Sequence, residues 1–260
     1  MTTTATRFER LSIHFEAPVV LITLNNPALN IIDIAMMEEL TSVLNEIQSQ
    51  SSISTIVFQG AARCFSAGVD VAAHARETVF SMLEKFHAVV RALVSTRKVT
   101  IAAVRGHCLG GGAELAMVCD FVYTTDDAKW GFPEIQLGCF PPVAATALAA
   151  LIGQKRAADL ILSGRSISGA EAVAIGLATA VVADAQLSSI VDQCAARIAT
   201  LSPAALAVTK KAMYAWDAMH FDKGLARAEK IYREELIETA DAQEGIRAFL
   251  EKRTPNWTGR

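Results

Sequence analysis

The sequence predicts an α/β fold, and three observations predict it. Short β-branched runs alternate with segments of helical periodicity through the first half of the chain, the pattern of a layered α/β core. Beyond Gly153 strand signals become scarce and helix signals dominate. The 260 residues are 52% hydrophobic and 20% charged, enough apolar material for one large packed domain with a small appendix and too much for a disordered chain.

In chain order, VVLITL (19–24), STIVFQG (54–60), VTIAAVRG (99–106) and DFVYTT (120–125) read as strands. MMEELTSVLNEIQ (36–48) and TVFSMLEKFHAVVRALVS (78–95) carry apolar residues at helical spacing between them. Later, Ser168 and Glu171 are spaced as a capping box, in which hydroxyl and carboxylate satisfy free backbone donors at a helix start. Ser202 followed by Pro203 marks another start, with Pro at the first helical position where its missing N–H costs nothing. The expected division is a core over 1–200 carrying the site and a helical C-terminal region over 201–260. The latter holds Leu206, Met213, Trp216, Leu225, Ile231, Leu236, Ile246, Phe249 and Leu250, more apolar surface than an isolated tail could hide, so it should pack on the core or on another subunit.

With 24 basic and 27 acidic side chains the net charge is -3, and no block gathers Lys and Arg, which argues against nucleic acid as a partner. No apolar run reaches a membrane span of about 18 residues, since the Ala-rich stretch from Val143 stops at Gly153. MTTTATRFERL lacks the apolar centre of a signal peptide, so a cytoplasmic location is the expectation. The five cysteines are an odd number without a C-x-x-C pair and read as buried, reduced thiols. His107 beside Cys108 has no matching second ligand pair, so no metal is assigned.

Two segments pass from strand to glycine: R-C-F-S-A-G-V-D (63–70) and G-H-C-L-G-G-G-A-E-L-A (106–116). Glycines let backbone N–H groups approach a ligand closely, and two converging amides hold an oxyanion. A packing turn is the plainer reading of the three glycines. A dinucleotide fingerprint fails for want of G-x-G-x-x-G, and a P-loop for want of G-K-[ST]. Glu114 follows in the first turn of an almost wholly apolar helix, and Glu134 lies alone in W-G-F-P-E-I-Q-L-G (130–138). Either could face water; a pair of poorly solvated carboxyls on one reacting centre could instead deliver and remove protons.

Taken together, F-S-A-G-x-D, G-x-x-L-G-G-G-x-E-L-A-x-x-C-D and G-x-P-E-I-x-L-G, in this order and with the glutamates at 114 and 134, resemble the crotonase (enoyl-CoA hydratase/isomerase) family. The likeness continues through LSGRSISGAEAVAIGLATAVV (162–182) to DAQEGIRAFLEKR (241–253). It implies a spiral of ββα units with a C-terminal helical trimerisation region, a homotrimer or a hexamer of paired trimers, and an acyl-CoA thioester substrate with no separate cofactor. It also implies an oxyanion hole from the amides of Ala67 and Gly111, coenzyme A contacts at Ala28, Asp70 and Lys252, and a lyase reaction. In that reaction Glu114 helps activate water for attack at Cβ and Glu134 supplies the proton to Cα.

Departures from the common pattern bear on the acyl group. P-P-V-A-A-T (141–146) stands where short-chain hydratases have P-G-A-G-G-T, and Phe132 replaces a common Gln. Pro142 has no N–H to offer a water. Trp130, Phe132, Phe140 and Pro142 are therefore expected to line a reshaped acyl pocket for an apolar or planar group. N-I-I-D-I-A-M-M-E-E-L (30–40) and the stretch 131–145 are similar to the branch that hydrates cyclohexa-1,5-diene-1-carbonyl-CoA in aromatic-compound degradation. The alternatives are a double-bond isomerase, which Pro142 favours, and a hydrolase, decarboxylase or dehalogenase of the same fold. A serine hydrolase on Ser66 lacks its G-x-S-x-G elbow, and an RNA-binding relative lacks its Lys-rich helix. His14, His74, His87 and His220 read as surface or packing residues.

Overall fold

The computed structural model describes residues 8–260, with backbone alone for 215–219, so the stretch before Phe8 and the Trp216 side chain lie outside the described residues. The chain opens with a hairpin of β1 (Leu11–Glu16) and β2 (Val19–Leu24), in which Leu11 pairs with Leu24. Helix α1 (Ile34–Ser49) leads to β3 (Thr55–Gly60), and α2 (Val79–Ser95) to β4 (Val99–Val104), each strand joining the sheet parallel to the last.

From β4 onward strands come in twos. One member extends the main sheet and the other builds a second one, which is the ββα repeat of the spiral. After β4 come β5 (His107–Leu109) and α3 (Gly111–Met117); β6 (Phe121–Thr125) and β7 (Lys129–Gly131) precede α4 (Pro142–Ile152) and α5 (Gln154–Ser163). Next follow β8 (Ser166–Ser168), α6 (Gly169–Ala174) and β9 (Ala180–Val182). The main sheet runs β1-β2-β3-β4-β6-β9, and the small sheet β5-β7-β8.

The four strands and two helices expected from the sequence are present within two residues. β1 escapes notice because His14 and Glu16 of this edge strand face solvent, and β5, β7, β8 and β9 are too short, at three residues each, to display a period.

Period-two alternation sorts β3 and β4 between two cores. Ile56, Phe58, Ala102 and Val104 pack toward α1 and α2, against Met36, Leu40, Phe86 and Val90. Val57, Val99, Ile101 and Ala103 pack the opposite way against α7 (Leu187–Ala199), through Leu187, Val191 and Ile198. A strand covered on both faces reads as a continuous apolar run, as VTIAAV does.

The last segment forms α8 (Pro203–Met213), α9 (Ala215–Glu234) and α10 (Ala240–Leu250). Ser202 caps α8 by accepting the Ala205 N–H at 3.3 Å. Only half of the capping box at Ser168 forms: its hydroxyl accepts from Glu171 N, while the Glu171 carboxylate turns to Arg165 at 2.7 Å. Lys210 anchors α8 through a buried ion pair with Asp120 at 2.6 Å and a bond to Lys98 O. α9 packs on α2 and α4, and α10 on the 3-10 turns Val71–His74 and Pro133–Leu137. The region thus closes onto its own core with Leu225 and Tyr232, yet leaves Val208 and Met213 about two-thirds exposed. All five cysteines are free and buried.

Candidate active site

The site is built where the two glycine-bearing loops meet. Ser66 pairs with Cys108 across an isolated bridge, and Leu109 N donates to Ser66 O at 3.0 Å. Ser66 Oγ donates to Asn30 O at 2.7 Å and receives the Gly68 N–H, so this hydroxyl is an architectural tie and no nucleophile. Ile32 N then donates to Gly68 O and Asp70 N to Ile32 O.

That pattern decides which amides remain available. Ala67, expected to supply one oxyanion donor, gives its N–H to Leu29 O at 2.9 Å, which corrects the sequence reading. The Val69 N–H between the two Ile32 contacts has no acceptor among the described residues, and the Gly111 N–H heads α3 in the same condition. The two positions adjoin: a Cβ on Gly111 would meet Val69 Cγ2 at 2.6 Å. Two free amides side by side at a helix start form a donor pair for developing negative charge on a carbonyl oxygen.

A cavity of about 570 Å³ extends from these amides. Ala67, Gly111, Glu114, Glu134, Phe140 and Pro142 all line it. Glu114 is 3% exposed, and burial raises its carboxyl to about 7, against the opposing pull of the Ala144 and Val143 amides at the start of α4. Glu134 leads out of β7 on a 3-10 turn begun by Pro133. Burial first, then the charge of Glu114, pushes its carboxyl well above the ordinary range, and its Oε2 is sealed without a hydrogen-bond partner. Gly110 makes room for it, since a Cβ there would stand 2.6 Å from Glu134 Oε1. Two carboxyls share one cavity, one raised to about 7 and the other pushed well above the ordinary range, an arrangement suited to acid/base chemistry.

Other expected residues fall elsewhere. Trp130 and Phe132 are fully buried and do not line the cavity; Trp130 Nε1 donates to Thr124 Oγ1 at 3.0 Å, so the small sheet consumes both rings as core. Asp70 uses its carboxylate to cap the next turn through Ala72 N. Ala28 and Lys252 are exposed and outside the cavity lining, whereas Lys129, Arg165 and Arg253 are basic residues on it.

Three polar groups on the cavity were not foreseen as such: His74, His87 and Tyr232. His87 is wholly buried, with Nδ1 at 2.7 Å from Glu229, a residue also held by Arg91, and its Nε2 is unpartnered. Burial lowers its pKa. Tyr232 comes from α9, so the C-terminal region completes the site. No local pattern marks these residues, because 142 positions separate His87 from Glu229. Among the described residues no group of three His, Cys, Asp or Glu side chains is placed to hold a metal ion, and no helix is long and apolar enough to cross a membrane.

Comparison with known proteins agrees with this geometry. A cyclohexa-1,5-dienecarbonyl-CoA hydratase of Thauera aromatica is 36% identical over 239 residues, covering 91% of this chain and 92% of its own. A 2,3-dehydroadipyl-CoA hydratase of Escherichia coli is 36% identical over 245 residues, covering 93% and 96%. The crystal structure of an enoyl-CoA hydratase from Mycobacterium avium subsp. paratuberculosis superposes with a TM-score of 0.87 at 27% identity, covering 96% of this chain and 99% of that one. The family described as enoyl-CoA hydratase/isomerase matches residues 14–260, and the chain belongs to it.

Proposed function

We propose that this enzyme adds water across the α,β double bond of an acyl-CoA thioester, with a cyclic dienoyl group such as cyclohexa-1,5-diene-1-carbonyl as the acyl part. The observation that carries the reading is the pairing of Glu114 and Glu134 on one cavity whose end holds the free amides of Val69 and Gly111. The amides polarise the thioester carbonyl, so electron density withdrawn from the double bond collects on its oxygen. Glu114, near neutrality, takes a proton from water as its oxygen bonds to Cβ, and the protonated Glu134 supplies Cα. The reaction asks for no cofactor beyond the thioester. Phe140 and Pro142 bound the acyl group, and the similarity to the Thauera aromatica hydratase supports a ring.

The coenzyme A moiety is assigned to the loop surface at Ala28 and Asp70, with Lys252 and the neighbouring Arg253 for its phosphates. A homotrimer, alone or paired into a hexamer, is assigned from the apolar residues left outward on the C-terminal helices, and a cytoplasmic enzyme from its substrate class. The test is incubation with crotonyl-CoA and, separately, cyclohexa-1,5-diene-1-carbonyl-CoA, each followed by mass spectrometry for the gain of one water. Gain on the ring ester is the expected result; gain on crotonyl-CoA alone assigns a short-chain hydratase. An isomerase, the rival that Pro142 favours, moves the double bond with no change in mass.

A further inference from the structure

Tyr232 is 1% exposed, and its ring packs on Phe140 with centroids 5.1 Å apart. Its hydroxyl is sealed from bulk solvent, belongs to a residue on the same cavity as both glutamates and has no well-formed hydrogen bond among the described residues. Leaving a buried hydroxyl unpaired is destabilising, so a phenol kept there in place of a phenyl ring calls for a ligand. Beside it stands only the Cys139 thiol, a weak sulfur neighbour that gives its own proton to Leu137 O at 3.6 Å and makes no well-formed hydrogen bond to the phenol. Glu134 Oε2 is a second orphaned oxygen on this cavity. Pro142, on the same cavity at the start of α4, has no N–H to hold a water. The cavity that carries Glu114 and Glu134 therefore holds a buried, uncommitted phenol hydroxyl, delivered from α9.

We infer that the Tyr232 hydroxyl donates a hydrogen bond to the oxygen that is added as water and kept as the β-hydroxyl of the product. This rests on the hydratase reading and deepens it. In the step, the water oxygen bonds to Cβ and loses one proton to Glu114. The π electrons move toward the thioester carbonyl and return to Cα, which takes the Glu134 proton. Tyr232 keeps its own proton throughout and acts by fixing the oxygen on the Cβ face. Burial and the neighbouring Cys139, Glu134 and Glu114 all push the phenol pKa upward, in keeping with a donor that never ionises.

The test is Tyr232→Phe, which removes one oxygen and leaves the ring on Phe140. Turnover of whichever of crotonyl-CoA and cyclohexa-1,5-diene-1-carbonyl-CoA the parent hydrates should fall about 10- to 100-fold in kcat, with KM within about twofold and a melting temperature equal to or above the parent's. Binding provides a readout independent of turnover. In a Glu134→Gln background, which slows interconversion, Tyr232→Phe should weaken 3-hydroxybutyryl-CoA about 5- to 20-fold and leave butyryl-CoA within about twofold. Equal effects on both esters, or none on either, would overturn the assignment. A parent enzyme that hydrates neither enoyl ester would instead defeat the hydratase reading, while the binding pair still reports on Tyr232.

Discussion

Glu114 Oε1 accepts the backbone N–H of Ala144 at 2.9 Å, so the carboxyl on α3 caps the helix that starts at Pro142. A helix start stabilises an anion, and burial opposes it; burial is the larger effect here, and the group settles at about 7. The same contact fixes the carboxyl against the cavity wall, with its direction set by backbone and not by a mobile side chain.

The pH dependence of activity follows from the two carboxyls. Glu114 must be ionised to receive a proton from water, so kcat/KM should rise with pH through about 7. Glu134 must be protonated to supply Cα, and its strongly raised pKa places the falling limb higher. Glu134→Gln should lower kcat about 10²- to 10⁴-fold, because an amide cannot donate that proton. A pH series of initial rates on the parent and on this variant measures both.

Stability should show the opposite trend over the acid side of that range. The Glu114 carboxyl has a folded-state pKa near 7 against 4.5 in its ordinary state, so between those values the folded chain binds more protons than the unfolded one. Stability therefore falls as pH rises from about 4.5 to 7. Glu114→Gln keeps an acceptor for Ala144 and removes the titration. At pH 8 it should be more stable than the parent by roughly 1–3 kcal/mol, while at pH 4.5 the two converge; urea melts at both pH values check this.

Gly110→Ala should injure both the fold and the site. Gly110 has φ +51°, where a side chain is strained, and its Cβ would stand 2.6 Å from Glu134 Oε1. A loss of about 1–3 kcal/mol together with a kcat loss larger than the stability change explains is expected, because Glu134 must move to admit the methyl. Thermal melts and saturation kinetics on the soluble variant separate the two effects.

The choice between Val69 and Ala67 as oxyanion donor can be read by replacing a single amide with an ester through semisynthesis. An ester at Val69 removes an N–H that has no acceptor among the described residues, so kcat should fall about 10²- to 10³-fold with little change in stability. An ester at Ala67 breaks its bond to Leu29 O and should instead cost about 1 kcal/mol of stability with a smaller effect on kcat.

Local sequence patterns made much of this protein legible. The apolar runs of β3 and β4 and the periodicity of α1 and α2 follow from side-chain period, a property of neighbours along the chain. The motifs that carry Glu114 and Glu134 are also local, and each glutamate stands out because it is a lone acid among apolar residues and glycines. Aromatic residues near Glu134 in sequence suggested an acyl pocket by the same logic, and for Trp130 and Phe132 that logic failed: alternate residues of β7 and its continuation turn into the core.

By itself the sequence determined the family, the layered α/β core and the two carboxyls, because strand and helix periods, turn glycines and motif spacing are all encoded within a few residues of one another. Tertiary structure alone decided that Val69 and not Ala67 keeps a free amide, since the difference is an acceptor at Leu29, in a loop nearly forty positions away. It also brought His87 and Tyr232 onto the cavity and raised the two carboxyls. Those outcomes depend on which groups are dehydrated together and which donors are left unpaired, and both are properties of packing between segments distant in the chain.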